Sequence, residues 1–191
     1  MITFPLQFIL VLIATFLISL ILTPFVKLLA FKIDAVYYPN ARRINKKPMP
    51  SAGGLAILLA FTIATVLLLP MITKGYVAKT SYLTYTLPVV VGGWIIGLTG
   101  LVDDIKELSP RLKMLGIIIG ASVIWFLTDF RLDDFKIPFG GPFLHFDPWL
   151  SYILTVIWII SITNAVNLID GLDGLVSGVS IISLVTMGIV S

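Results

Sequence analysis

No cysteine occurs among the 191 residues, which excludes disulfides, thiolate zinc sites and a cysteine nucleophile. The one histidine cannot build a histidine-clustered metal site, and no serine–histidine pair is available for acyl transfer. Charge is scarce as well. Only 12% of residues are charged, against roughly a quarter in a soluble domain. With 58% hydrophobic residues and a mean hydropathy of +1.06, a water-soluble globule is excluded. Disorder is excluded too, because so much apolar surface must be buried somewhere. What remains is an integral membrane protein.

The runs free of charge give its plan. They are Met1 to Val26, Pro48 to Thr73, Thr80 to Val102, Met114 to Thr128, Pro148 to Ile169 and Gly174 to Ser191, with lengths of 26, 26, 23, 15, 22 and 18 residues. About 20 apolar residues cross a bilayer as a helix, with roughly 17 as the lower edge. The fourth run crosses if Leu112 belongs to it and Lys113 snorkels toward the headgroups. The first run lacks a basic n-region and a small-residue cleavage site, and so reads as a retained span. The sequence thus predicts an all-α, polytopic helical bundle. It has one integral-membrane domain over 1–191, with spans at about 4–29, 53–73, 81–102, 112–128, 148–168 and 174–191.

The basic residues orient it. Lys27, Lys32, Arg42, Arg43, Lys46, Lys47, Lys106, Arg111 and Lys113 fall on one side, against Lys74, Lys79, Arg131 and Lys136 on the other. The positive-inside rule then puts the N-terminus outside and the first, third and fifth links in the cytoplasm. The net charge of +3 therefore reports topology and attraction to anionic lipid or phosphate, not nucleic acid. The outer link reads as a small extracytoplasmic hairpin near 130–147. Phe135, Ile137 and Phe139 alternate with Lys136 and Pro138, Gly140-Gly141-Pro142 turns, and Phe143 to Phe146 returns. His145 lies in this hairpin, in a structural or solvated role.

None of the six runs holds an Asp, Glu, Lys, Arg or His; the unusual polar groups sit at span ends. Asp103-Asp104 with Lys106 ends span three. Asn164, Asn167, Asp170 and Asp173 follow one another at intervals of three at the end of span five. The stretch from Arg42 through Lys46, Lys47 and Ser51 to Gly54 leads into span two. Two crossings separate neighbouring groups, so parity places all three on the cytoplasmic face. Carboxylates, amides and lysines at one interface suit a phosphate-rich ligand with Mg²⁺, which takes oxygen ligands and substrate phosphates. Lysines neutralise phosphate as point cations, and phosphoryl transfer asks mainly for positioning and electrostatic stabilisation. Blander readings exist: an Asp pair marks a membrane boundary, Asp103–Lys106 suits an i,i+3 ion pair, and basic loops are topogenic. The Asn/Asp cluster is harder to dismiss, because poor helix formers with unpartnered amides and carboxylates are costly beside an apolar run. Its i,i+3 steps drift by about 60° each on a straight helix. Either Gly171 and Gly174 break the helix, or the motif divides into groups that touch ligand and groups that hold the loop.

Arg42 to Ile57, Gly100-Leu101-Val102-Asp103-Asp104-Ile105-Lys106, and Asn164 to Leu175 together resemble the bacterial polyprenyl-phosphate N-acetylhexosamine-1-phosphate transferases. This family includes the enzymes that start teichoic acid and enterobacterial common antigen synthesis, and the phospho-MurNAc-pentapeptide translocase. The resemblance implies transfer of a sugar 1-phosphate from a UDP-sugar to undecaprenyl phosphate at the cytoplasmic face of the bacterial membrane, with release of UMP and use of Mg²⁺. It implies catalytic roles for Asp103, Asp104 and Asp170 and a metal role for Asn167. Substrate contacts are implied for Lys46, Lys47, Ser51, Lys106, Asn164 and Asp173. Pro50-Ser51-Ala52-Gly53-Gly54 looks more like the teichoic-acid or common-antigen branch, which favours UDP-GlcNAc over the muramyl pentapeptide nucleotide. The competing readings are a phospho-MurNAc-pentapeptide transferase, a lipid-linked-sugar flippase or transporter, and a non-catalytic membrane fragment that binds lipid phosphate. The sequence leaves room for a homodimer. Two departures stand out. Val36-Tyr37-Tyr38-Pro39 has tyrosine where the family commonly has aspartate. Family members also continue through further spans, a Gly-Asp motif and a histidine-rich loop, so the sequence reads as the N-terminal part of such an enzyme, expected to be inactive on its own.

Overall fold

The computed structural model describes residues 4–38, 48–72, 79–137, 141–169 and 175–190. Helix α1 (Phe4–Lys32) leads to a short strand β1 (Val36–Tyr37), which pairs antiparallel with β2 (Met49–Pro50). There follow α2 (Gly53–Ile63), a π-helical turn (Ala64–Leu68), α3 (Leu69–Ile72), α4 (Lys79–Lys106) and α5 (Pro110–Leu127). The hairpin β3 (Asp134–Lys136) and β4 (Phe143–His145) precedes α6 (Pro148–Ile169) and α7 (Leu175–Val190). Helical segments therefore stand at each of the six expected positions. Four stretches, Ile9–Lys32, Thr86–Lys106, Pro110–Leu127 and Pro148–Ile169, are long and apolar enough to cross a membrane. The second and sixth are shorter. The π turn interrupts one, and the 16 residues of α7 extend only about 24 Å at 1.5 Å per residue. Within the four long stretches only 6–17% of the apolar window is buried inside the protein, so the apolar side chains face outward, as lipid-facing residues do. The chain is an all-α membrane protein.

The chain forms two compact units, residues 1–131 and 132–191. In the first, small residues let helices approach closely, the usual means of packing where hydrophobicity supplies no net drive. On α2, Ala56 and Ala60 are almost fully buried, continuing a four-residue stripe from Ala52 to Ala64. Its upper part packs with Val26, Ala30 and Ala35, flanked by Leu22, Leu55, Leu59 and Leu101. The Trp94 indole N–H donates to Thr62 Oγ1 at 2.9 Å, tying α4 to α2 just before the π turn. The seam between α4 and α5 is tighter. A Cβ on Gly120 would lie 2.8 Å from the Gly92 carbonyl oxygen, and one on Gly116 2.2 Å from Thr99 Oγ1.

The second unit starts with its hairpin fastened to the first turns of α6. Ser151 Oγ donates to Asp133 Oδ1 at 2.7 Å, and Leu132 N–H donates to Thr155 Oγ1 at 3.0 Å. Ser151 and Thr155 are both buried by this attachment. Asp134 pairs with His145, Phe135 with Leu144 and Lys136 with Phe143, the return anticipated from the alternation. His145 Nδ1 meets Asp134 Oδ1 across the ladder, a structural contact for the lone histidine.

Candidate active site

The end of α1 begins the site. Asp34 adopts the left-handed conformation with φ of 60°, and Ala35 N–H reaches back to Ala30 O at 2.9 Å. This is how a helix closes on a left-handed residue, with aspartate, which tolerates that region better than most side chains, in place of glycine. The Tyr38 hydroxyl donates to Asp34 Oδ1 at 2.9 Å, and the Asp34 carboxylate raises the Tyr38 phenol above its usual pKa. The turned chain enters β1, whose register sets Val36 opposite Pro50 and Tyr37 opposite Met49. Ala35 O then accepts both the backbone N–H and the hydroxyl of Ser51, each at 3.0 Å. The two-residue ladder and these bonds make a neck between the chain segments that flank residues 39–47 in sequence.

Helix α4 ends on a second left-handed residue, Glu107, with φ of 45°. Glutamate in that conformation costs on the order of 1 kcal/mol. Glu107 N–H bonds Asp103 O at 2.8 Å, and the next N–H, of Leu108, turns to the side chain of Asp103, donating to Oδ1 at 3.0 Å. After a three-residue link, Ser109 caps α5 through Leu112 N–H at 3.4 Å, with Pro110 in the first turn. The link and the glycine seam bring Lys113 back beside Asp103, with Nζ 2.7 Å from Oδ2 and both side chains about one-fifth exposed. Lys113 thus has an ion-pair partner within the fold. It pays for its position inside α5 by pairing with the acid of the neighbouring helix. Lys106, the expected i,i+3 partner of Asp103, is exposed instead, and has no ion pair among the described residues.

The two aspartates consequently have different surroundings. Asp103 has both oxygens committed, one to a backbone N–H and one to an ammonium group. Asp104 faces hydroxyls: Tyr37 donates to its Oδ1 at 2.8 Å, and the Ser51 hydroxyl is a further hydrogen-bond neighbour. Three of the expected residues, Ser51, Asp103 and Asp104, thus come together, joined by Tyr37 and Lys113, which the sequence reading had not placed in the site. In the second unit, Asn164 is half-buried and its Nδ2 donates to Ile160 O at 3.0 Å, within its own helix, whereas Asn167 is exposed. Lys46, Lys47, Asp170 and Asp173 lie outside the described residues. Among the described residues no three His, Cys, Asp or Glu side chains converge as a metal cluster.

Residues 86–191, which carry the Asp pair, Lys113 and both asparagines, match the model of the glycosyl transferase family 4. The chain belongs to that family. It is also 38% identical over 148 residues, 77% of its length, to a probable undecaprenyl-phosphate N-acetylglucosaminyl 1-phosphate transferase of Bacillus subtilis. Decaprenyl-phosphate N-acetylglucosaminephosphotransferases of Mycolicibacterium smegmatis and Mycobacterium tuberculosis are 38% and 39% identical over 53% and 52% of the chain. The aligned part spans 38% of the Bacillus protein and about a quarter of the mycobacterial ones. No solved structure matches. The matched range includes the ends of α4 and α6, whereas Tyr37 lies before it.

Proposed function

We propose that the protein transfers N-acetylglucosamine 1-phosphate from UDP-GlcNAc to undecaprenyl phosphate, releasing UMP, as the first membrane step of a cell-wall polysaccharide of the teichoic acid type. The observation that carries this reading is the unequal Asp pair at the end of α4, on a chain similar to relatives named for that transfer. Asp103 is occupied in holding α4 to α5. Asp104, bonded to neutral hydroxyls, is the carboxylate available to take a proton from the acceptor phosphate, so that its oxygen attacks the sugar-bearing phosphorus while the bond to UMP breaks. Lys106, exposed at the same helix end, would meet the phosphates as a point cation. Lys46 and Lys47 would add charge from the stretch between β1 and β2.

Mg²⁺ is the proposed cofactor. The carboxamide of Asn167 is exposed and, unlike that of Asn164, has no bond back to its own helix among the described residues, so its oxygen fits a cation that prefers oxygen donors. Asn167, with Asp170, would hold the ion, and the ion would neutralise diphosphate charge. Asn164 and Asp173 would contact the nucleotide. The reading includes six crossings, an outer N-terminus, an outer β3–β4 hairpin and motif loops on the cytoplasmic side of a bacterial membrane, with room for a homodimer.

The purified full-length protein that contains these 191 residues, supplied with UDP-GlcNAc, undecaprenyl phosphate and Mg²⁺, should release UMP and form the lipid-linked sugar. No product above that of an Asp104→Asn control would overturn the proposal. Because the chain has no cysteine, single cysteines at Asn45, Ser109 and Gly171 would report sidedness cleanly. All should be labelled from the cytoplasm alone.

A further inference from the structure

Tyr37 stands where the resemblance leads one to expect an aspartate. In the structure its hydroxyl donates to Asp104 Oδ1 at 2.8 Å, a contact between residues 67 positions apart. Independent features deliver it there. The Asp34 turn ends α1, the β1–β2 ladder fixes the register, and Ser51 fastens the neck to Ala35 O. Ser51 has a single hydroxyl proton and Ala35 O accepts it at 3.0 Å. Ser51 thus shares its hydroxyl between Ala35 O and Asp104, whereas the phenol of Tyr37 donates directly to the Asp104 carboxylate. An aspartate at position 37 would set a second anion against Asp104, and like charges at such a distance disfavour each other's ionised form. A phenol supplies a proton donor without that charge.

We propose that Tyr37 is a positioning residue for Asp104, fixing the orientation of its carboxylate from the neck of the basic segment and sparing the site one negative charge where phosphates enter. The inference rests on the transfer reading for its catalytic consequence, but not for the contact itself. In this chain, restoring the family's aspartate is therefore harmful.

The test compares Tyr37→Phe, Tyr37→Asp, Asp104→Asn and the double variant Tyr37→Phe/Asp104→Asn in the purified full-length protein that contains this chain. Tyr37→Phe should lower kcat roughly tenfold, the size expected for a lost hydrogen bond to a charged group near the surface. Both KM values should stay within about twofold, because the loss falls on the transition state and not on substrate binding. Tyr37→Asp should be worse than Tyr37→Phe, and the double variant no worse than Asp104→Asn, since Tyr37 acts through Asp104. Wild-type kcat in Tyr37→Phe, equal or better turnover in Tyr37→Asp, or losses that add in the double variant would each overturn the proposal. An infrared readout needs no turnover. With ¹³C-labelled aspartate, the carboxylate stretch assigned to Asp104 by its disappearance in Asp104→Asn should shift in Tyr37→Phe, and an unmoved band would also overturn the proposal. If the unaltered protein releases no UMP, the transfer reading fails and the infrared band alone decides whether Tyr37 holds Asp104.

Discussion

The ends of α4 and α6 look alike in sequence, since each closes an apolar helix with carboxylates or carboxamides, yet the fold treats them differently. At the end of α4, Asp103 and Asp104 are held by Tyr37, Leu108 and Lys113, which the fold gathers from β1, the α4–α5 link and α5. Near the end of α6, among the described residues, Asn164 bonds back to the turn before it and Asn167 is exposed. The first site is a product of tertiary packing, so it can be damaged from a distance. The asparagines take their positions from the helix that carries them, so only changes at or beside them should matter. A polar motif at a helix end therefore does not reveal whether its groups are already committed within the fold or free for ligand.

The strongest way to break the comparison is through the glycine seam. Gly116→Leu would drive side-chain atoms into Thr99, where even a Cβ lies 2.2 Å from Oγ1. Overpacking of this kind should cost about 3 kcal/mol or more, seen as a large drop in thermal midpoint in detergent, together with loss of turnover although no site residue is changed. Gly178 of α7 has nothing within 4 Å of an added Cβ, so Gly178→Ala should leave the midpoint almost unchanged. A smaller effect is expected for Lys113→Met, which keeps bulk but leaves Asp103 half-buried without its cation. About 1–3 kcal/mol of stability should be lost, measurable by the same melt. On the α6 side, Asn167→Ala should raise the Mg²⁺ needed for half-maximal rate several-fold with no change in melting. An unchanged Mg²⁺ requirement would remove Asn167 from the metal. Asn164→Ala, which loses only a bond within its own helix, should alter stability by no more than about 0.5 kcal/mol.

Much of the frame was legible before any coordinates. The uncharged runs mark the helices to within a few residues, and alternation around Gly140-Gly141-Pro142 marks the β3–β4 hairpin, because both signals are local. The Asp pair was legible as a site, but its division of labour was not. In sequence, Lys113 is a lysine beside a short apolar run, with nothing local to mark Asp103 as its partner. The clue lay in Ser109-Pro110, a cap and first turn that limit the link to three residues and so fold α5 straight back along α4, bringing position 113 to 103. Tyr37 was beyond reach of pattern reading. It meets Asp104 through a ladder of two residues per strand, too short for any alternation to register, and across 67 positions.

The central claim is that the two neighbouring aspartates do different work, and one measurement tests it most directly: kcat for UMP release by Asp103→Asn and by Asp104→Asn, side by side at equal amounts of folded full-length protein. An asparagine at 103 still offers an oxygen to Leu108 N–H or to Lys113, so it should weaken the helix pair while leaving the reacting carboxylate in place. An asparagine at 104 removes that carboxylate's charge and should cost about 10²-fold or more. The account predicts that Asp103→Asn retains at least roughly tenfold more turnover than Asp104→Asn. Equal losses, or a greater loss at Asp103, would contradict it.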